Sequence, residues 1–192
     1  MSFSSLLRLG GLAAVLGAVL LVMAGLVQLV LNLFFPGPGA INEVTMTAFY
    51  IRSGLELLGH VLVMLGLVGL YVRQSEATGI LGLAGFLAAF LGMASPVGLG
   101  WADVLTKLGW ILFGIASLRA RSYPREAAIL LIVGTVLSGV FNSLLVTPVV
   151  DGPGSTLVYA SVGAEITRNV AVGWLGYALF SGRSLATERP ST

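Results

Sequence analysis

The chain has 192 residues, of which 57% are hydrophobic and only 9% are charged. An ordinary soluble domain is about 45–50% apolar and about 25% charged. A soluble fold with so little charge would expose apolar patches that are too large for a stable protein in water. The composition therefore excludes a soluble enzyme, a nucleic-acid-binding protein and a disordered protein, and it indicates that the main partner of the chain is the lipid bilayer.

Ten basic and eight acidic residues leave a formal net charge of +2, which by itself says little about function. The chain has no cysteine and a single histidine, His60. The lack of cysteine excludes disulfides, thiolate metal sites and thiol nucleophiles. We therefore expect no metal centre and no other cofactor.

Six hydrophobic stretches are each long enough to cross a bilayer, whose core of about 30 Å needs roughly 20 apolar residues per helix. In chain order they are Leu9–Phe35, Thr47–Val72, Thr78–Ser95, Leu99–Ala120, Ala127–Val146 and Leu157–Ser181. The first is longer than the apolar part of a secretion signal, so we interpret it as a retained helix. The pattern predicts an all-α bundle of six transmembrane helices that forms a single integral membrane domain over residues 1–192.

The connections between these stretches alternate in character. Pro–Gly segments follow the first, third and fifth stretches, whereas arginine-bearing segments follow the second, fourth and sixth. Together with the N-terminal Arg8, the arginine-bearing set comprises Arg8, Arg73, Arg119, Arg121, Arg125, Arg183 and Arg189. Because basic residues concentrate in cytoplasmic loops, we expect both termini in the cytoplasm and a location in the cytoplasmic (inner) membrane.

The ends of the second, fourth and sixth stretches share a pattern in which six residues separate a glycine from an arginine. The pairs are Gly66 and Arg73, Gly114 and Arg121, and Gly176 and Arg183. Self-similarity of this kind indicates a repeated structural unit. With the alternating connections, it predicts three tandem helical hairpins at about residues 5–73, 77–122 and 125–184.

Three tandem hairpins with Pro–Gly turns at one end and basic residues at the other resemble the HdeD-like acid-resistance membrane proteins. The resemblance extends over the whole chain and depends on the architecture and on the glycine–arginine ends of the return helices. It implies an inner-membrane stress-response protein with six spans, and it assigns no catalytic residue.

Polar residues recur inside the predicted helices at helical spacing. Arg52, Glu56 and His60 lie at positions i, i+4 and i+8 of the second stretch, so all three share one face of that helix. In the fourth stretch, Asp103 and Lys107 have the acid-first i, i+4 order that favours an ion pair along a helix. Each of these helices therefore carries its charge on a defined stripe.

The expected topology places all the polar groups between the middle of the membrane and its outer surface. A charge at mid-bilayer costs about 2.5–3.5 kcal/mol on insertion scales, so we expect these groups to face one another or water. The sequence therefore predicts one outward-facing polar pocket that serves as a ligand or proton site. Its candidate residues are Gln28, Arg52, Glu56, His60, Asp103, Lys107, Asn142, Glu165, Arg168 and Asn169.

Three interpretations of the function stay open. In the first, the pocket binds or transports a small polar or amphipathic solute, or protons, from outside. In the second, the chain is a structural, accessory or stress-response subunit, associated with a partner subunit or with copies of itself, whose buried charges only hold its helices together. The third is an intramembrane enzyme on a lipid or isoprenoid, with Glu56, Asp103 or Glu165 as acid or base beside His60; no sequence motif supports catalysis, so it is the least favoured.

Overall fold

The computed structural model of the chain describes residues 3–35, 43–95, 100–145 and 156–182, and the regular structure within these ranges is entirely helical. Five helices follow one another along the chain. They are α1 (Phe3–Phe34), α2 (Glu43–Ala94), α3 (Gly100–Ala120), α4 (Arg125–Leu145) and α5 (Thr156–Phe180). The predicted all-α class is therefore confirmed for the described part of the chain. The prolines of the Pro–Gly segments, together with Arg183 and Arg189, lie outside that part.

The second helix differs from expectation in where its two segments meet, not in their number. α2 runs for 52 residues, and its backbone leaves helical angles at Gly79 (φ 55°, ψ −143°). A connection was expected at residues 73–77, but these residues continue the helix, and the hydroxyl of Thr78 donates to the backbone oxygen of Gln74 at 2.9 Å. Residues 73–78 contain neither glycine nor proline. The helix is therefore interrupted only at Gly79, where glycine tolerates the positive φ.

Four of the helices are long and apolar enough to cross a membrane: α1, α2, α3 and residues 125–143 of α4. α5 is not among them, because its polar residues lower its hydropathy. The outside of the bundle is also apolar. Along α1, exposed apolar side chains recur every three or four residues, at Leu9, Leu12, Leu16, Val19, Met23, Leu26 and Val30. An apolar surface of this extent is the surface of a membrane protein.

The helices pack in a defined order. α1 packs against α2 and α5, α4 packs against α5 and α3, and α3 packs against α2. At one end of the bundle, the Tyr123 hydroxyl donates to the backbone oxygen of Leu70 at 2.9 Å, and the Arg73 guanidinium donates to that of Ala178 at 3.2 Å. These contacts bring together Arg73, the turn between α3 and α4, and the end of α5. We call this the arginine end.

The opposite end of the bundle contains the end of α1 and the beginning of α5. There the Tyr159 hydroxyl donates to the backbone oxygen of Asn32 at 3.3 Å. Because the prolines predicted to turn the chain follow α1 and precede α5, we call this the Pro–Gly end. α1 and α5 are therefore antiparallel neighbours.

Small residues set the distance between the helices. A Cβ atom added at Gly66 of α2 would lie 2.5 Å from Cβ of Ala14 in α1, and one added at Gly176 of α5 would lie 2.7 Å from the same atom. Between α3 and α2, a Cβ atom at Gly109 would lie 2.1 Å from the backbone nitrogen of Ala89. Close backbone approach of this kind is a main source of helix association in lipid.

The contact of Gly109 with Ala89 gives a direct test of this packing. We expect Gly109→Ala to destabilise the protein by about 1–3 kcal/mol, the usual cost of overpacking, because the added methyl group meets backbone that cannot move alone. The matched control is Gly163→Ala, since a Cβ atom at that exposed helical position has no neighbour within 4 Å. Thermal unfolding of both variants in detergent measures the effect. Equal melting temperatures would contradict the close packing of α3 on α2.

Candidate functional site

A small cavity of about 60 Å³ lies between α1, α2 and α5, and we call it the α1–α2–α5 cavity. Its apolar and glycine lining consists of Leu21, Gly25, Val162 and Ile166. Its polar lining consists of Gln28, Arg52, Glu56, His60, Glu165, Arg168 and Asn169. The structure thus brings together, from three helices, seven of the ten residues that the sequence indicated.

Helical periodicity explains why these residues reach one cavity. On α1, Leu21, Gly25 and Gln28 lie at i, i+4 and i+7, and the three residues from α2 lie at i, i+4 and i+8. Residues at these spacings share one face of a helix. Each helix therefore presents one stripe, and the packing of α1 between α2 and α5 brings the three stripes together.

The polar residues from α2 bond to one another within their own helix. Arg52 Nη2 lies 2.7 Å from Glu56 Oε1 in an ion pair. His60 Nδ1 lies 2.8 Å from the backbone oxygen of Glu56. A carbonyl oxygen only accepts hydrogen bonds, so we assign the ring proton to Nδ1, which leaves Nε2 of the neutral ring as an acceptor. α2 therefore supplies a neutralised ion pair and one nitrogen that is able to accept a proton.

The charged residues from α5 do not pair with each other. The guanidinium of Arg168 donates from Nη2 and Nε to Oδ1 of Asn169, at 3.3 and 3.4 Å. The carboxylate of Glu165 accepts a hydrogen bond of 3.4 Å from Nδ2 of Asn142 in α4. Among the described residues, ion pairs within 4 Å occur only at Arg52–Glu56 and at Asp103–Lys107. The cavity therefore holds one cation and one anion that face it without an ionic partner.

Asn142 lies beside this cavity without lining it. Besides its bond to Glu165, its side-chain oxygen accepts a hydrogen bond from the hydroxyl of Ser161. These contacts join the end of α4 to the beginning of α5. Asn142 therefore holds Glu165 in place from the neighbouring helix.

Asp103 and Lys107 lie elsewhere in the bundle, which differs from the single shared pocket expected. They form an ion pair along α3, and the Asp103 side chain is 58% exposed. Lys107 lines a second, more open cavity of about 570 Å³ between α3 and α4. The separation follows from the packing order, because α3 contacts α2 and α4 but neither α1 nor α5. The predicted site is thus divided between two locations.

A second polar cluster, at the arginine end, was not anticipated from the sequence. Gln74 is fully buried in α2, and its side-chain oxygen accepts a hydrogen bond of 2.9 Å from the Ser117 hydroxyl of α3. The Gln74 amide nitrogen is buried without a hydrogen-bond partner. Nearby, the guanidinium of Arg73 lies 5.5 Å from the centre of the Tyr123 ring. The sequence placed Gln74 in a connection, and only the continuation of the helix to Thr78 buries it.

Comparisons of the chain with protein-family models, with curated proteins and with solved structures give no match. Among the described residues, no group of three or more His, Asp and Glu side chains is placed to hold a metal ion. The chemistry of the α1–α2–α5 cavity therefore follows from its own groups: an ion pair, an imidazole and two separate opposite charges. Such a site is suited to holding a small polar group or exchanging a proton.

Burial at the arginine end makes stability depend on pH. Burial raises the pKa of the Tyr123 phenol well above its usual value of about 10, and the nearby Arg73 opposes this shift only in part. Above pH ~10 the phenol ionises in the unfolded chain but stays neutral in the folded one, so stability is lost as the pH rises. Below that pH the contribution of the phenol is fully present.

Tyr123→Phe is expected to remove this pH dependence. At neutral pH the variant loses a hydrogen bond to Leu70, worth about 1 kcal/mol, and melts at a lower temperature than the wild type. Because phenylalanine does not ionise, the difference should shrink between about pH 8 and about pH 11. Melting temperatures measured in detergent across this range test the prediction. A constant difference would contradict the assigned burial of the phenol.

Proposed function

We propose that the chain is a six-span membrane protein that receives a small polar solute or a proton, from the outer face of the membrane, in the α1–α2–α5 cavity. The observation that carries this proposal is the convergence of seven polar residues from three helices on one cavity. A single charge facing lipid at mid-bilayer costs about 2.5–3.5 kcal/mol. Grouping the charges around an internal cavity avoids that cost and creates a site.

The break in α2 supports six crossings. It divides the helix at Gly79 into residues 43–78 and 80–94, and the rings of Tyr71 and Phe86, one from each segment, stack with their centroids 4.7 Å apart. The two segments therefore lie side by side, and we assign them to two passes in opposite directions. The 25 residues of α5 supply the sixth pass, because its charged groups line the cavity. The resemblance to HdeD-like proteins implies the same topology and stays a prediction.

The arginines support the orientation. Arg73 and the turn between α3 and α4, which includes Arg121, lie at the same end of the bundle. If the positive-inside rule applies, this end faces the cytoplasm, and both termini lie there too. The cavity is nearer the Pro–Gly end, because its residues come late in α1 and early in α2 and α5. In this orientation the cavity lies in the outer half of the membrane.

The size of the cavity limits what it can hold. Typical small-molecule pockets measure about 300–1,000 Å³, whereas this cavity measures about 60 Å³. Because about 15 Å³ suffices to hold one water molecule, the cavity has room for water. The solute is therefore a small ion or the polar group of a larger molecule, and a proton carried by water also fits.

The structural interpretation, in which the charges only hold helices together, has less support. Arg52, Glu56, His60 and Arg168 all make their hydrogen bonds within their own helix. Within the cavity lining, Glu165 is the charged residue that bonds to another helix, at 3.4 Å from Asn142. Bonds within one helix cannot fix the position of another. Glycine and alanine contacts supply the association between helices instead.

One of the three candidate acids or bases of the enzyme interpretation lies away from His60. Asp103 lies outside the α1–α2–α5 cavity, which leaves Glu56 and Glu165 as the carboxylates near His60. Glu56 is held in an ion pair with Arg52. The cavity is also smaller than a lipid or isoprenoid requires. Binding is therefore the function that we propose.

Access from outside is testable, because the chain has no cysteine of its own. In intact cells, we expect a charged, membrane-impermeant methanethiosulfonate to label Gln28→Cys, since thiolates form and react only where water reaches them. The matched control is Leu26→Cys, at nearly the same depth on α1 but 47% exposed on the apolar outer surface. Mass spectrometry of the purified protein measures the labelling. Equal labelling at both positions, or none at Gln28→Cys, would contradict an outward-facing polar cavity.

Stability measurements separate the proposal from the structural interpretation. We expect the double variant Arg52→Gln/Glu56→Gln to melt within a few degrees of the wild type, because an i, i+4 pair contributes only about 0.2–0.5 kcal/mol. The structural interpretation predicts a loss at least as large as that caused by Gly109→Ala. Thermal unfolding of the two variants side by side decides between them.

A further inference from the structure

The charges of the α1–α2–α5 cavity leave one cation with unused hydrogen-bonding capacity. Arg52 is neutralised by Glu56 at 2.7 Å. Arg168 has five N–H donors, yet it bonds only to the neutral oxygen of Asn169 at 3.3 and 3.4 Å. Hydrogen bonds from a guanidinium to an anion are normally about 2.7–2.9 Å long. The Arg168 guanidinium is therefore in place but lacks its best type of acceptor.

Glu165 would be the obvious acceptor for Arg168, but the two do not pair. They are three residues apart on α5, a spacing at which opposite charges can pair. Among the described residues, however, no carboxylate oxygen lies within 4 Å of the Arg168 guanidinium. The carboxylate of Glu165 bonds instead to Asn142 of α4. The neighbouring helix thus draws the carboxylate away and leaves the guanidinium to the cavity.

A second guanidinium in the cavity, that of Arg52, also has a donor without an acceptor. Arg52 lines the cavity, and its Nε is buried without a hydrogen-bond partner. A buried N–H group without an acceptor costs about as much as a lost hydrogen bond, so the site gains by acquiring an acceptor atom. Guanidinium groups match the geometry of carboxylate and phosphate oxygens. The two guanidinium charges are balanced by Glu56 and Glu165, so the preference for an anion depends on the unused N–H donors of Arg52 and Arg168.

We propose that the α1–α2–α5 cavity binds a small oxyanion, either a carboxylate or a phosphate group, on the guanidinium of Arg168, with Arg52 as the second donor. This inference rests on the proposed function and names the chemical class of its solute. A volume of about 60 Å³ accommodates a group of this size. The oxyanion belongs either to a free solute or to the headgroup of an anionic lipid.

The test measures the melting temperature of the full-length protein in detergent against rising sodium acetate or inorganic phosphate, with sodium chloride at the same ionic strength as the reference. We expect a saturable rise with at least one oxyanion beyond the effect of chloride. Arg168→Gln should weaken binding about 10- to 100-fold, as expected for loss of a charged hydrogen bond. Arg125→Gln, at an exposed basic residue in the first turn of α4, should bind like the wild type.

The variant Glu165→Gln tests whether the ligand is negatively charged. It also provides a test if Arg168→Gln does not fold. Glutamine preserves the size of the side chain and its ability to accept a bond from Asn142. It removes a negative charge that opposes an anion, so we expect it to tighten oxyanion binding several-fold. If both Glu165→Gln and Arg168→Gln weaken binding, the ligand is dipolar and the oxyanion proposal is wrong.

Nanodiscs separate the two sources of the oxyanion. A rise in melting temperature that appears with phosphatidylglycerol but not with phosphatidylcholine, and that Arg168→Gln abolishes, supports the lipid headgroup. A rise with free acetate or phosphate supports a soluble ligand. If the wild type responds to none of these probes, the oxyanion proposal is overturned. The proposed function fails separately, through the labelling of Gln28→Cys.

Discussion

The contact of Ala14 with glycines on two neighbouring helices determines where this bundle has room for chemistry. Gly66 of α2 and Gly176 of α5 both approach Ala14 so closely that neither position accepts a Cβ atom. At this level the three backbones are too close to admit a large side chain. The cavity lies farther along α1, between Leu21 and Gln28, beside Gly25, which contributes no side chain. Close packing at one level therefore leaves space for polar side chains at another.

Because these glycine and alanine contacts hold the helices together, the charged residues contribute little to the assembly of the bundle. In lipid, helices associate mainly through van der Waals packing and interhelical hydrogen bonds. The ion pairs Arg52–Glu56 and Asp103–Lys107 each lie along a single helix, so they lower the cost of inserting their own helix without joining it to another. Glu165 and Arg168 differ, because each faces the cavity without an ionic partner. That arrangement is costly for a structural element and useful for a binding site.

The sequence predicted helical structure and which polar residues share a helix face, but not which helices are neighbours. Hydropathy and helical spacing give the face and the height of a residue such as Asp103. They do not say that α3 packs only against α2 and α4, which removes Asp103 from the cavity that holds Glu165. Spacing also did not distinguish Asp103 and Lys107, which pair, from Glu165 and Arg168, which do not. That difference depends on Asn142, a residue of another helix.

The sequence pattern also failed to predict that α2 continues past Arg73. The sequence pattern predicts that a span ends at Arg73, since arginine commonly marks the membrane surface. The helix continues because residues 73–78 lack a helix breaker, and this continuation buries Gln74 against Ser117. Prediction from hydropathy assigns such a polar segment to a loop. Burial of a polar side chain becomes visible only when its partner on another helix is known.

The apolar residues between the cavity and the arginine end favour binding of a solute over its open conduction. On the arginine-end side of His60, the next residues of α2 that turn inward are Val63, Leu67 and Leu70, all buried. Beyond them, Gln74 of α2 bonds to Ser117 of α3. A solute held by Arg168 therefore meets an apolar barrier that includes the close contact at Ala14. Passage toward the arginine end would require α2 or α5 to move relative to α1.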